Sequence, residues 1–284
     1  MQKIFQVHGS CSKLIAFVHI EKTGGTTVKF ILRNSFGLRH CDVVTQNPNG
    51  VFSDQELRFA KRVFFNLQSI SGHSLRHPTA HLSGDIQFFT FLRDPVERVV
   101  SKYQEARQTR WWRRKRYRRE GYKKPSFDEF IHKKNNSNVQ TKRIAGVVDL
   151  DKAKEEIDNN YFFVGLTERF QESIKALQKL CPYKIDTRYE PLRVARDNTI
   201  KREVLNNSAA YDLLVEANAV DIELYDYVRE VVYPSQLRKA NLVTVDVDDE
   251  KEQQDFYPYR YRVNRFYNNS VYKQLVKLRK VLLR

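Results

Sequence analysis

The chain has 284 residues, enough for one large α/β domain with appendages and a substantial buried core. Hydrophobic residues make up 41%, which excludes general disorder. The 50 Lys and Arg against 34 Asp and Glu leave a net charge of +16, so an anionic partner is expected: nucleic acid, an acidic membrane, a sulfated or uronic polysaccharide, or a nucleotide.

The cysteines Cys11, Cys41 and Cys181 are odd in number and far apart. They form no CxxC, no zinc spacing and no disulfide framework. No apolar run is long enough to span a bilayer, and no secretory apolar region follows Met1. A complete chain is then expected in the cytoplasm. An excised lumenal domain would instead place it in the Golgi lumen. The Asn-x-Ser sequons at Asn135, Asn206 and Asn268 lie in Asn-Asn-Ser runs and read as chance.

In chain order, Leu14 to Ile20 is an apolar run that reads as a buried strand. It stops at Lys22-Thr23-Gly24-Gly25-Thr26-Thr27, and an amphipathic run, Val28 to Phe36, follows. Strand, Gly loop and helix together suit an anion: glycines admit a close backbone, and a helix N-terminus offers unpaired N–H groups. Lys22 adds a charge, and Thr23, Thr26 and Thr27 add hydroxyls. A plain strand-to-helix turn would need the same glycines, and both readings stand. The loop is not a Walker A loop, because Lys22 precedes the glycine pair.

A more polar fourth strand is expected at Val63 to Ile70, just ahead of Gly72-His73. Further buried strands are expected at Phe88 to Leu92 and Tyr161 to Leu166, and helices at Pro95 to Gln108, Phe127 to Lys133, Asp151 to Asn159, Glu168 to Leu180 and Ser208 to Val232. This alternation predicts an α/β fold with a central parallel sheet flanked by helices. In such sheets ligands bind at the carboxyl ends of the strands, which draws attention to Lys22, His73, Arg93-Asp94 and Thr167-Glu168-Arg169. Val243 to Tyr259 reads as a loose surface wrap and Val271 to Arg284 as a basic amphipathic helix.

At the end of the Phe88 strand, Asp94 suits an N-cap and Pro95 a first helical residue. Arg93 then lies beside a helix N-terminus, and Ser101 lies two turns along the same face. Arg and Ser so placed can grip a phosphate. Arg93 pairing with a carboxylate or capping the helix is the other reading. Arg107 to Lys124 interleaves cations with Trp111, Trp112, Tyr117 and Tyr122, which suits an acidic glycan, single-stranded nucleic acid, an acidic membrane or a solvated loop alike.

Two anion grips on two strands resemble the donor site of carbohydrate sulfotransferases of the sulfotransferase family 2 type, which modify glycosaminoglycans. The resemblance extends to Ser71-Gly72-His73, Asn138-Val-Gln-Thr-Lys-Arg-Ile-Ala-Gly146, Val164-Gly-Leu-Thr-Glu168 and Asn218-Ala-Val-Asp-Ile-Glu-Leu-Tyr225. It covers about residues 14 to 230, within a sulfotransferase domain set at 1–234, with 235–284 as an extension packed on or trailing from it. It implies a P-loop-like three-layer fold and 3′-phosphoadenosine 5′-phosphosulfate (PAPS) as donor, with 3′-phosphoadenosine 5′-phosphate (PAP) as product. By resemblance, Lys22 to Thr27 hold the 5′-phosphosulfate, and Arg93 with Ser101 holds the 3′-phosphate. His73 is then the general base, with His77 and His81 as competitors, and Lys22 steadies the transferring group. His19, inside the strand, reads as a satisfied core residue. Glu21 departs from the family, where Pro is frequent, and a carboxylate there must point away from the site or pair with a cation.

The implied acceptor is an acidic or neutral glycan. No metal is required, and nucleic acid is not the expected partner. The sequence favours neither presence nor absence of membrane association. The alternative is a polyanion-binding protein on a nucleotide-binding fold, which would need neither Lys22 nor His73. A kinase fits poorly, because no strand ends in a clear magnesium-binding carboxylate.

Overall fold

The computed structural model describes residues 13–76, 82, 84–108, 125–133, 136–189, 198–242 and 258–282. The chain begins with β1 (Leu14–Val18), α1 (Gly25–Phe36), β2 (His40–Asp42), α2 (Asp54–Val63), β3 (Ser69–Gly72) and β4 (Ile86–Leu92). It continues through α3 (Pro95–Gln108), α4 (Phe127–Ile131), α5 (Val139–Ala145), α6 (Leu150–Asn160), β5 (Tyr161–Leu166) and α7 (Phe170–Leu180). The last helices are α8 (Thr199–Leu205), α9 (Ser208–Ala217), α10 (Ala219–Tyr227), α11 (Tyr233–Lys239), α12 (Tyr259–Phe266) and α13 (Lys273–Leu282). A π turn, Val228–Val232, joins α10 to α11, and another, Tyr267–Tyr272, joins α12 to α13.

All residues of β1 are buried, as a strand covered on both faces must be. It lies at the centre of a five-stranded sheet of order β2-β3-β1-β4-β5, in which every pairing is parallel. After β1 the chain builds one side of the sheet with β2 and β3. It then crosses to the other side with β4 and β5. The order therefore reverses at β1, and the crevice at such a reversal is where open α/β sheets bind ligands. The main core closes over the sheet, with Phe17 stacked on Phe89 at 5.1 Å between centroids. A satellite core joins α3, α4, α8 and α9 through Val99, Tyr103, Phe130, Val204 and Leu214.

The sheet half on the β2 side differs from the sequence expectation. The strand expected at Val63 to Ile70 is displaced: Asp54–Val63 is a helix started by a Ser53/Glu56 capping box, and the strand is Ser69–Gly72. The strand His40–Asp42 was not expected at all. Polar residues hide both strands from a hydrophobicity reading, yet those residues are buried and paired. Ser69 Oγ meets His40 Nδ1 at 2.9 Å, and Ser71 Oγ donates to Asp42 Oδ1 at 3.0 Å. Lys29 Nζ, 3.0 Å away, and Arg33 Nε, at 2.8 Å, complete the shell of Asp42. Burial acts to raise the Asp42 carboxyl, but His40, Lys29 and Arg33 overcome it and hold it well below the usual range.

The C-terminal helices pack against this edge. Asn264 Nδ2 donates to the carbonyls of Gly37 and His40 at 2.7 Å each, and the Asp42 N–H donates to Asn268 Oδ1 at 2.9 Å. Helix begins at Tyr259 rather than Val271, because Asn264, Asn268 and Tyr272 are buried members of the same docked face. The helix expected over Ser208 to Val232 breaks at Asn218, whose side chain is used elsewhere. Among the described residues, no helix is long and apolar enough to cross a membrane. The expected wrap over residues 243–257, most of the basic run (109–124), and His77 and His81 lie outside the described residues.

Candidate active site

The loop after β1 is shaped by its own backbone. Lys22 and Gly24 are both left-handed, with φ of 71° and 74°. A loop that alternates hand in this way turns successive N–H groups inward, the geometry of an anion nest. Thr23 is fully buried, and its hydroxyl donates to the Ile20 carbonyl at 3.1 Å. Its side chain therefore braces the loop. Gly25 opens α1, and a Cβ there would lie 2.0 Å from His19 Cδ2. Any side chain there would have to displace that ring. Thr26 is half-buried and Thr27 is buried in the first turn.

Arg93 leaves the end of β4 toward this loop. Its Nη1 donates to the Lys22 carbonyl at 3.4 Å, and its Nη2 lies 3.2 Å from Glu97 Oε2. Glu97 also receives Lys201 at 2.7 Å. Arg93 thus pairs with a carboxylate, the second of its two sequence readings. Ser101 is half-buried on α3, and its neighbour Lys102 crosses to Glu21 Oε2 at 2.8 Å. Burial acts to raise the Glu21 carboxyl, yet the Lys102 hydrogen bond and charge bring it below its ordinary value. This is the cation that the unusual Glu21 needs. Lys22 Nζ itself lies 3.9 Å from Glu105 Oε1 on the same helix.

His73 follows β3, with part of the residue open to solvent and its ring packed against His19. Its Nδ1 lies 2.9 Å from the His19 carbonyl, an acceptor only, so Nδ1 carries the hydrogen and Nε2 the lone pair. Its ring stacks on that of His19 at 4.0 Å. Burial lowers the His73 pKa, and Glu21 opposes the shift without cancelling it. The ring is therefore a neutral proton acceptor at neutral pH.

Helix α5 ties these strand ends together. Gln140 brackets the Arg93 backbone: its Oε1 accepts the Arg93 N–H at 2.9 Å, and its Nε2 donates to the Arg93 carbonyl at 2.8 Å. One turn on, Arg143 donates to the His73 carbonyl. The helix is held in turn by α10. Asp221 accepts the N–H groups of Gln140, at 3.0 Å, and Thr141, at 2.7 Å, and also the Thr141 hydroxyl. Asn138 and Asn218 complete the clasp: the Asn138 N–H donates to Asn218 Oδ1 at 3.1 Å, and the Asp221 N–H donates to Asn138 Oδ1 at 3.0 Å. Glu168 joins the same frame, accepting the Asp94 N–H and the Tyr225 hydroxyl. Among the described residues, no group of His, Cys, Asp and Glu could hold a metal ion.

A sequence model described as "Sulfotransferase family" matches residues 10–228. The chain belongs to this family. Heparan sulfate 2-O-sulfotransferase 1 of Xenopus laevis is 23% identical to it over 257 residues, covering 76% of this chain and 70% of the relative. The sulfotransferase match ends before α12 and α13, so the helices docked on β2 lie beyond it.

Set on this sulfotransferase fold, the motifs divide by role. The Lys22 loop, His73 and Arg93 follow the adjacent strands β1, β3 and β4. The Asn138-x-Gln-Thr and Asn218-x-x-Asp segments instead form the clasp that aims Arg93 and His73. Sequence reasoning missed this use of Gln140, Arg143 and Asp221, because their partners lie far away in sequence. It also placed His19 as a satisfied core residue. His19 Nδ1 in fact has no hydrogen-bond partner among the described residues, and the ring underlies His73. The only sequence signal was its position six residues ahead of Gly25.

Proposed function

We propose that this sulfotransferase moves a sulfuryl group from PAPS to a hydroxyl of an acidic glycan, with His73 as general base. One observation carries the reading. The neighbouring strands β3, β1 and β4 are followed by His73, the Lys22 loop and Arg93, and Arg93 reaches the Lys22 carbonyl. A proton acceptor and two cationic side chains at adjacent strand ends support a donor nucleotide that is anionic at both ends.

The acceptor oxygen attacks sulfur in line, and the bond from sulfur to the phosphate oxygen breaks. The hydroxyl proton passes to His73 Nε2. Lys22 and the N–H groups of the Gly24-Gly25 turn offset the charge that grows on the leaving phosphate. Thr23 contributes through its backbone, since its hydroxyl is spent on the loop. Arg93, with Ser101, holds the 3′-phosphate and leaves Glu97 to Lys201 when it does so. The name of the Xenopus relative supports a glycosaminoglycan as the acceptor class, and the chain's charge of +16 favours an acidic one.

The test is transfer of labelled sulfuryl from PAPS to uronic-acid polysaccharides, with neutral glycans as controls. Transfer to the acidic chains is expected, with His73→Asn slower by about 10²- to 10⁴-fold. Wild-type transfer by His73→Asn would remove the base assignment, and preference for neutral glycans would remove the acceptor class.

A further inference from the structure

We propose that His19 is a positioning residue: it fixes the plane and the tautomer of the His73 ring on which it stacks. The inference rests on the reading of His73 as the base. The two residues are joined twice. The His19 carbonyl receives the Nδ1 hydrogen of His73 at 2.9 Å, and the His19 ring lies under the His73 ring at 4.0 Å with 26° between planes. The first contact turns the Nε2 lone pair away from β1, and the second stops the ring from tilting about that bond.

His19 can act as a platform because it is itself clamped. Phe17 stacks on it at 5.5 Å with 18° between planes. Gly25 lies against its Cδ2–Nε2 edge, where a Cβ would fall 2.0 Å from Cδ2 and 2.1 Å from Nε2. That space admits a five-membered ring and leaves no room for a longer one. The ring is 8% exposed and its Nδ1 is unpartnered among the described residues, an arrangement that costs stability and has no packing benefit over an apolar residue of similar size. A flat, compact ring beneath His73 accounts for keeping it.

The surrounding charges suit this division of labour. Burial, His73, Lys29 and Arg143 all disfavour a proton on His19, with Asp42 opposing. Around His73, Glu21 favours a proton while Arg143 and Lys29 disfavour it, and Lys102 pairs with Glu21. Two imidazolium rings at 4.0 Å would repel, so the stack takes one proton, on His73.

The test uses His19→Ala and His19→Asn on the full chain, read by kcat, donor affinity and the pH profile. In His19→Ala, kcat is expected to fall about 10- to 100-fold, as misplacement of a reacting group does, with PAP affinity unchanged. Water entering beneath His73 relieves its desolvation, so the acid limb should move to higher pH. His19→Asn keeps a flat polar group there and should recover part of both effects. Wild-type kcat with an unmoved acid limb in both variants overturns the proposal. So does a fall in PAP affinity that matches the fall in kcat with the acid limb unmoved, because His19 would then merely support the loop. Should His19→Ala not fold, an intermediate kcat and limb shift in His19→Asn supports the proposal, and wild-type values overturn it. His73→Asn is the control: full activity there removes the base assignment itself, a failure distinct from the other two.

Discussion

The base role proposed for His73 requires a neutral ring, so its rate contribution should fall as pH drops through its pKa. Burial sets that pKa below the ordinary 6.5, and the Glu21 carboxylate pulls it partly back up. Replacing Glu21 by Gln removes the upward pull. The acid limb of kcat/KM in Glu21→Gln should therefore move to lower pH than in the wild type. A limb that moves upward would mean that Glu21 does not act on His73 by charge. Gly25 allows an equally sharp statement. A methyl group there meets the His19 ring at 2.0 Å, so Gly25→Ala should lose about 1–3 kcal/mol in denaturant unfolding, together with much of its transfer activity. Normal stability in Gly25→Ala would show that the His19 ring is free to move. At this scale the sequence singled out the loop and His73 as candidates but passed over His19. A histidine inside an apolar run looks the same whether its nitrogens are paired or orphaned.

At the scale of elements, the clasp between α5 and α10 governs the site from outside it. Asp221 is fully buried and accepts two N–H groups and a hydroxyl. Asp221→Ala strands those donors, and the expected loss is at least about 3 kcal/mol of unfolding free energy. Because Gln140 on the same helix brackets Arg93, PAP affinity should fall with stability. Unchanged PAP affinity in a folded Asp221→Ala would separate the clasp from the donor site. The apolar strands β1, β4 and β5 and the exact span of α3 were legible, since continuous hydrophobic runs and an Asp-Pro helix start are local signals. The strand β2 was not legible and β3 was only partly so, because Ser69, Ser71, His40 and Asp42 satisfy one another across the sheet. That pairing is visible only once the fold is formed. Helices α12 and α13 were half-legible. The basic run of α13 was plain, but the buried Asn264 and Asn268 carry no apolar signal for the docked face.

For the whole molecule, three histidines push stability in one direction. His19, His40 and His73 all have pKa values lowered by burial from the ordinary 6.5. The unfolded chain therefore binds more protons than the folded one as the solution is acidified. The stabilisation is fully present above about pH 6.5 and is lost as pH falls through the lower folded values. Asp42, held well below its ordinary 3.8, extends the loss into stronger acid. Thermal melting at fixed ionic strength should show Tm falling steadily below pH 6.5, and a Tm that rises on mild acidification would contradict these environments.

The central claim is that the crevice at the ends of β3, β1 and β4 binds a nucleotide anionic at both ends. Calorimetric titration of PAP against AMP and ATP, on the wild type and Arg93→Ala, tests it most directly. Binding that requires the 3′-phosphate and collapses in Arg93→Ala is the predicted result. Equal binding of the three nucleotides, or PAP affinity untouched by the loss of Arg93, would contradict it.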